Sequence, residues 1–337
     1  MSSAMTFGSD NQAGALPEVL EAMGAANEGH ALGYGADRWT LAAEARLSEA
    51  FGDASFALCL TGTGANVVAL SLALRPWESV LAAEGAHIDA DEAGAPERIT
   101  GSKIETIATP DGRLTPALLE AALHSGEQHH VVQRVVSITQ SSECGTTYTP
   151  AAVQEIADWA HARGLLLHVD GARLCNAAAT AGCGLGEVVP GADIISFGLT
   201  KAGAVGAEVV VALNPALRTP IQHARKQATQ LASKMRFVAV QVDALLVDQR
   251  WRAHATHANA MATRLAEGIR SAPGVSIVYP VEANAVFAIL PAARLQVLAE
   301  QHHFYIWDAQ RSLARLMTAW DTTPTDVDRL IADIVAA

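Results

Sequence analysis

The most constraining feature of this chain is a succession of short, continuously apolar runs at residues 55–60, 131–139, 165–169, 193–199 and 209–213, separated by segments of helical period. A strand that is apolar on both faces must be covered on both, and helices laid over a mostly parallel sheet achieve this. The intervening segments suit that role: within 152–163, Val153, Ile156, Ala157 and Ala160 fall on one helical face. Helix starts are marked at Thr115-Pro116, Thr149-Pro150 and Thr323-Pro324. There a hydroxyl can cap the first free N–H groups while proline takes the first helical position. After Met235 the pattern becomes a long alanine-rich helical stretch to about residue 270, then strand-like residues 275–278 and 284–290, then a last helix over 324–335. The expected fold is α/β, with a large domain at 1–245 that includes an N-terminal arm, and a smaller α+β domain at 246–337.

Composition narrows the function. The chain has 337 residues, 50% of them hydrophobic and 17% charged, so it can bury a large core and does not read as disordered. A net charge of −12 repels phosphate backbones, the basic residues between Arg218 and Arg236 are spread along a helix-like segment, and aromatics reach only 5%. A nucleic-acid partner is therefore not expected. Cys59, Cys144, Cys175 and Cys183 show no CxxC spacing, which reads as reduced thiols in a cytoplasmic protein. The opening MSSAMTFGSDNQ lacks the basic-then-apolar order of a signal peptide, and apolar runs such as 65–74 are too short to span a bilayer.

Three strand ends carry the chemistry. Val169-Asp170-Gly171-Ala172-Arg173 closes one apolar run, at the edge of an open α/β sheet where ligands bind; taken alone, Asp170 would be a cap or turn residue. Residues 193–201, DIISFGLTK, end in Lys201 beside small neighbours. An amine buried at the end of an apolar strand is costly without a role, and such a site favours the neutral, nucleophilic form that Schiff-base chemistry needs. Thr61-Gly62-Thr63-Gly64-Ala65-Asn66 follows the first run and opens a helix, so its backbone N–H groups can meet an anion. Alone it would be a plain tight connection, and it fits neither GxGxxG nor GxxxxGK[ST], so a nucleotide is disfavoured. In chain order, a phosphate cradle, a strand-end acid and a strand-end lysine describe a site for pyridoxal 5'-phosphate (PLP).

Over nearly its whole length the chain resembles the L-threonine aldolases of the β-eliminating-lyase group, which are fold-type I PLP enzymes. The matching stretches are FGSDNQAGALPEV (7–19), NEGHALGYGAD (27–37), TGTGAN (61–66), AHIDADEAGAPE (86–97), LHVDGARL (167–174), SFGLTKAGA (196–204) and SKMRF (233–237). The resemblance implies that Lys201 carries the cofactor, that Asp170 keeps its pyridine nitrogen protonated, and that Gly62 and Thr63 bind its phosphate. It makes His87 the histidine stacked on the pyridine ring near the substrate hydroxyl. Ser9, Arg173 and Arg315 take the substrate α-carboxylate, Arg173 also standing beside the cofactor, with Arg311 a lower-ranked rival to Arg315. A planar guanidinium suits a carboxylate because it can donate two parallel hydrogen bonds. Tyr34 and Arg225 match positions that complete the pocket at a subunit interface.

The activity so implied is retro-aldol cleavage of L-threonine, L-allo-threonine and related β-hydroxy-α-amino acids to glycine and an aldehyde, without a metal, in a homotetramer built from dimers. Many members of the group carry a histidine in a Glu-Asn-Thr-His segment after the strand equivalent to 131–139. Here residues 139–143 read Thr-Gln-Ser-Ser-Glu, which leaves His87 or a bound water as the base for the β-hydroxyl. Within the same chemistry, a phenylserine aldolase or a β-eliminating lyase is the alternative; outside it, a non-catalytic PLP-fold binding protein.

Other polar residues read as structural. The pairs His129-His130 and His302-His303 should be solvated, since adjacent side chains diverge on a helix or strand. His168 shares a strand face with Asp170, but no third metal ligand is in view. Cys175 and Cys183 read as small buried side chains.

Overall fold

The computed structural model describes residues 5–336. The first four residues of the segment read above as no signal peptide, and the last residue of the chain, lie outside the described residues. The main sheet has seven strands: β1 (Ser55–Cys59), β2 (Glu78–Ala83), β3 (Lys103–Ile107), β4 (Val132–Thr139), β5 (Leu166–Gly171), β6 (Ile194–Gly198) and β7 (Glu208–Ala212). Their order is β1-β7-β6-β5-β4-β2-β3. The run from β6 to β3 is parallel throughout, and β7 lies antiparallel between β1 and β6. Strands β5, β6 and β7 are buried along their full length, which is why they are unbroken apolar runs in the sequence. Strand β3 was not legible in that way: it lies at the sheet edge and alternates exposed Lys103 with buried Ile104.

Three of the marked helix starts occur as read, with Thr115, Thr149 and Thr323 each accepting a backbone N–H from three residues on. The alanine-rich stretch after Met235, expected as one element, is two helices, Arg236–Leu246 and Arg250–Ile269. Between them Val247–Gln249 form a turn in which Asp248 and Gln249 have φ of 51° and 53°. The break follows from what each helix covers. Val238, Val242 and Leu245 pack on the main sheet, whereas the second helix begins there with Trp251 and Ala255 and ends, at Met261, Leu265 and Ile269, in a separate core.

That second core lies under a four-stranded antiparallel sheet of β8 (Ser276–Ile277), β9 (Ala285–Ile289), β10 (Tyr305–Asp308) and β11 (Leu313–Met317), ordered β10-β11-β9-β8. The helix Pro324–Val335 closes it with Val327, Leu330 and Ile334. The N-terminal arm, expected with the large domain, reaches both cores: Leu16 packs on the main-sheet core, whereas Phe7 packs in this second one. Phe7 is 1% exposed within it, its N–H donates to the His302 carbonyl, and its carbonyl accepts from Met317 at 2.8 Å. The arm thereby hands the residues after Phe7 to the space between the two sheets. His302 corrects another expectation: it is buried, with Nε2 2.8 Å from Asp333 and its ring against Phe7, while His303 is exposed. A carboxylate from the final helix makes that burial affordable, and such a partner is invisible in the local sequence. Among the described residues no helix is long and apolar enough to cross a membrane, and all four cysteines are free thiols.

Candidate active site

Six strands of the main sheet point one way, so their C-terminal ends and the N-terminal end of β7 meet along one edge. The segment after β1 opens the helix Gly62–Ala73, where Thr61 Oγ1 accepts from Gly64 N at 3.0 Å. Thr61, Gly62 and Thr63 line a cavity of about 350 Å³, together with His87 after β2, Lys201 after β6 and Glu208 at the start of β7. A Cβ on Gly62 would meet nothing within 4 Å, so this helix N-terminus lies open to an anion. The turn behind Lys201 needs glycine: Gly203 has φ 113°, and a Cβ there would lie 2.6 Å from Leu16.

Asp170 and His87 are held by one relay. Asp170 accepts from Ala172 N at 3.1 Å and from Asn66 Nδ2 at 2.9 Å. The same Asn66 amide donates to Glu92 at 2.8 Å, and Glu92 is 2.8 Å from His87 Nδ1. The Glu92 hydrogen bond raises the His87 pKa against the opposing effect of burial, and the nearby Asp170 charge adds to it. Because Nδ1 is engaged, Nε2 is the ring nitrogen left for a ligand. His87, Glu92 and Asp170 bring one donor atom each within 4.8 Å of one another, a grouping not seen from the sequence, where only His168 was considered beside Asp170. His168 itself is fully buried between Ser137 Oγ at 2.8 Å and Ser196 Oγ at 3.0 Å, and burial pushes its pKa down to about 4.

Lys201 and the arginines form the cationic side. The positive charge of Arg173 lowers the Lys201 pKa, and burial adds to it, so the amine is shifted towards its neutral form. Arg173 is not a free anchor: Nε and Nη2 donate to the two oxygens of Asp10 at 2.8 and 2.9 Å. Burial works against the Asp10 charge, but the Arg173 charge and hydrogen bonds outweigh it and hold the carboxyl at about 2. Ser9 caps the short turn Asp10–Gln12 by accepting from Asn11 N at 3.2 Å, which places it beside that ion pair. Arg315, on β11, lies over the rings of Tyr305 and Trp307 at 5.1 and 4.9 Å, and its buried Nε has no partner among the described residues. Burial lowers its pKa, and Arg173 lowers it further. An orphaned guanidinium N–H beside a second arginine fits an incoming carboxylate. Arg311, by contrast, is exposed at the β10–β11 turn.

Tyr34 and Arg225 stand apart from this group. Tyr34 is 59% exposed at φ 61°, with Lys226 5.6 Å from its ring centre. Arg225 is buried, and its Nε has no partner among the described residues. Four acids were missed: Asp10 and Glu92, paired with Arg173 and His87, and two more. Glu208 accepts from Thr200 Oγ1 at 2.5 Å and Leu199 N at 3.1 Å, and burial pushes its pKa up to about 7; its signal was a charge opening an otherwise apolar strand. Glu143, after β4, lines a second cavity of about 240 Å³ with Ala86, Cys144, Tyr279 and Trp307.

A seven-stranded, mainly parallel sheet with ligand-facing strand ends and a smaller antiparallel C-terminal sheet is the fold-type I architecture of PLP-dependent enzymes. It is shared with an aspartate aminotransferase of Thermus thermophilus (TM-score 0.73, 14% identity, 99% of this chain and 95% of that one). Within that class the chain belongs to the Beta-eliminating lyase family, whose pattern matches residues 6–293. It is 40% identical to the low specificity L-threonine aldolase of a Pseudomonas species, over 98% of this chain and 97% of that protein. Identity is also 40% to the enzyme of that description from Pseudomonas aeruginosa, over 97% and 96%. A threonine aldolase structure from Leishmania major superposes with a TM-score of 0.92 at 31% identity, covering 98% of both chains. The family and its fold-type I neighbours are PLP-dependent in general.

Proposed function

We propose that this chain is a low-specificity L-threonine aldolase that binds PLP and cleaves β-hydroxy-α-amino acids to glycine and an aldehyde. The observation that carries the reading is the depressed amine of Lys201 lining one cavity with the open helix N-terminus at Gly62 and Thr63. PLP, when bound, supplies an electron sink for the pair released by the broken Cα–Cβ bond. The chain's own residues do the rest. Lys201 carries the cofactor, Gly62 and Thr63 hold its phosphate, Asp170 faces its ring nitrogen and His87 covers its ring. Arg315 takes the substrate carboxylate through its unpartnered Nε, its Nη2 being held by the Gly8 carbonyl at 3.3 Å; Arg173 completes the clamp with Nη1, and Asp10 holds Arg173 in place, Ser9 standing beside it. Tyr34, exposed in one chain, and Arg225 meet a neighbouring subunit in a homotetramer, in the cytoplasm. We place the domain division at 245/246, next to the turn Val247–Gln249.

The test is product analysis with L-threonine and added PLP. Acetaldehyde and glycine in equal amounts support the reading, and their absence from Lys201→Ala ties them to this site. Release of 2-oxobutanoate and ammonia would assign β-elimination instead. The second cavity, with Tyr279 and Trp307 in its wall, favours a further reading in which aryl substrates such as phenylserine are also accepted.

A further inference from the structure

We propose that Glu143 is the group that takes the proton from the substrate's β-hydroxyl. The inference rests on the aldolase reading above and concerns which side chain performs one of its steps. Residues 139–146 leave the end of β4 and fold into a tight turn: Ser142 N donates to Thr146 O at 2.9 Å, Gly145 N donates to Ser142 O at 2.9 Å, and Gly145 has φ 76°. Ser142 Oγ is consumed by this turn, 2.6 Å from Thr146 Oγ1 and accepting from Cys144 N at 3.3 Å. The hydroxyl is therefore no candidate for substrate chemistry. Glu143 is placed differently. Among the described residues its carboxylate makes no hydrogen bond or ion pair, and it lines the cavity walled by Tyr279 and Trp307, the ring beneath Arg315.

The surroundings are those of a base. Glu143 lies within electrostatic reach of Arg173, Asp170, Lys201 and His87, and it acts on Arg315 and Cys144 in turn, while Glu84 lines the same cavity. Burial raises its pKa and Asp170 adds to this, with Arg173, Lys201 and His87 opposing. Half-buried and without a hydrogen-bond donor among the described residues, the Glu143 carboxylate is a costlier ion than one in open water, and accepting a proton relieves that cost. A pKa moved upward from the ordinary carboxylate range also strengthens a general base. His87 is less free for the task, since Nδ1 is tied to Glu92 and the ring is assigned to cover the cofactor.

The step balances without another reactant. A Glu143 oxygen accepts the hydroxyl proton, and the O–H bonding pair becomes the second bond of the departing carbonyl. The Cα–Cβ bond breaks with its pair left at Cα, and a proton returned there completes glycine.

Glu143→Gln keeps the shape and removes the base. With holoenzyme, kcat for L-threonine should fall about 10²–10⁴-fold. Glycine, which has no β-hydroxyl, should bind with unchanged Kd by calorimetry, and Glu143→Asp should recover part of the rate. The cofactor-free variant provides a readout apart from turnover. A carboxyl whose folded pKa lies above its unfolded value costs nothing below the unfolded value, and its cost grows as pH rises through the interval between the two. Glu143→Gln apoprotein should therefore melt higher than wild type at pH 8, with the difference closing at low pH. Undiminished kcat in Glu143→Gln, or a lower Tm with weakened glycine binding, overturns the proposal. Wild-type protein that releases no acetaldehyde overturns the aldolase reading instead.

Discussion

Removing Arg173 should destabilise the protein even before its effect on catalysis is considered. The Asp10 side chain is 1% exposed and that of Arg173 10%, and two hydrogen bonds join them. In Arg173→Ala, Asp10 keeps only Asn284 Nδ2, at 3.0 Å, and the weak contact from Ser9 Oγ, at 3.5 Å. A carboxyl held at about 2 instead of its ordinary 3.8 contributes about 2 kcal/mol at neutral pH. Leaving its charge buried and unpaired adds a desolvation cost, so the whole loss should be about 3–5 kcal/mol. The assay is urea unfolding of cofactor-free protein at one fixed concentration and pH 7, repeated at lower pH. Because the folded pKa is depressed, this stabilisation is present above 3.8 and disappears as pH falls towards 2, so the gap between wild type and variant should narrow over that interval. Asp10→Asn should cost a similar amount by stranding Arg173, and the double variant should cost less than the sum. A loss below about 1 kcal/mol for Arg173→Ala at pH 7 would refute the claim that this pair locks the arm to the segment after β5.

Asp170→Asn should leave a folded protein that retains PLP poorly and turns over slowly, measured by cofactor absorbance and kcat at saturating PLP; an unchanged rate would remove Asp170 from the ring nitrogen. Arg315→Ala should weaken substrate binding by roughly 2–5 kcal/mol, read as KM and the Kd for glycine, whereas Arg311→Ala should do far less. L-threonine and L-allo-threonine should be poorly discriminated, because no hydrogen bond from the described residues locks the Glu143 carboxylate and it can follow either hydroxyl. A kcat/KM ratio above about a thousandfold, roughly 4 kcal/mol, would reveal a fixed selective contact. Turnover should survive EDTA treatment despite the spacing of His87, Glu92 and Asp170; loss restored by a divalent metal would assign those three residues to an ion.

The sequence by itself determined five of the seven strands of the main sheet and the order of its chemical groups, but not β2 or β3. Strands buried on both faces must be written in apolar residues, so β5, β6 and β7 are legible, as is any polar residue that ends one, such as Asp170 and Lys201. Helix caps are equally local, and Thr115, Thr149 and Thr323 were readable for that reason. Tertiary structure decided whatever depends on a distant partner. The pairing of Asp10 with Arg173 spans 163 positions, and Asn66 joins two carboxylates that lie 26 and 104 residues away from it. Phe7 belongs to the C-terminal core because β11 and His302 receive it, not because of any pattern around residue 7. Nothing in the local sequence marked Glu143, and only the folded chain shows its carboxylate, without a hydrogen bond among the described residues, lining the cavity of Tyr279 and Trp307. Periodicity records whether a residue is covered; which group covers it, and what charge that group carries, is settled only when the chain closes on itself.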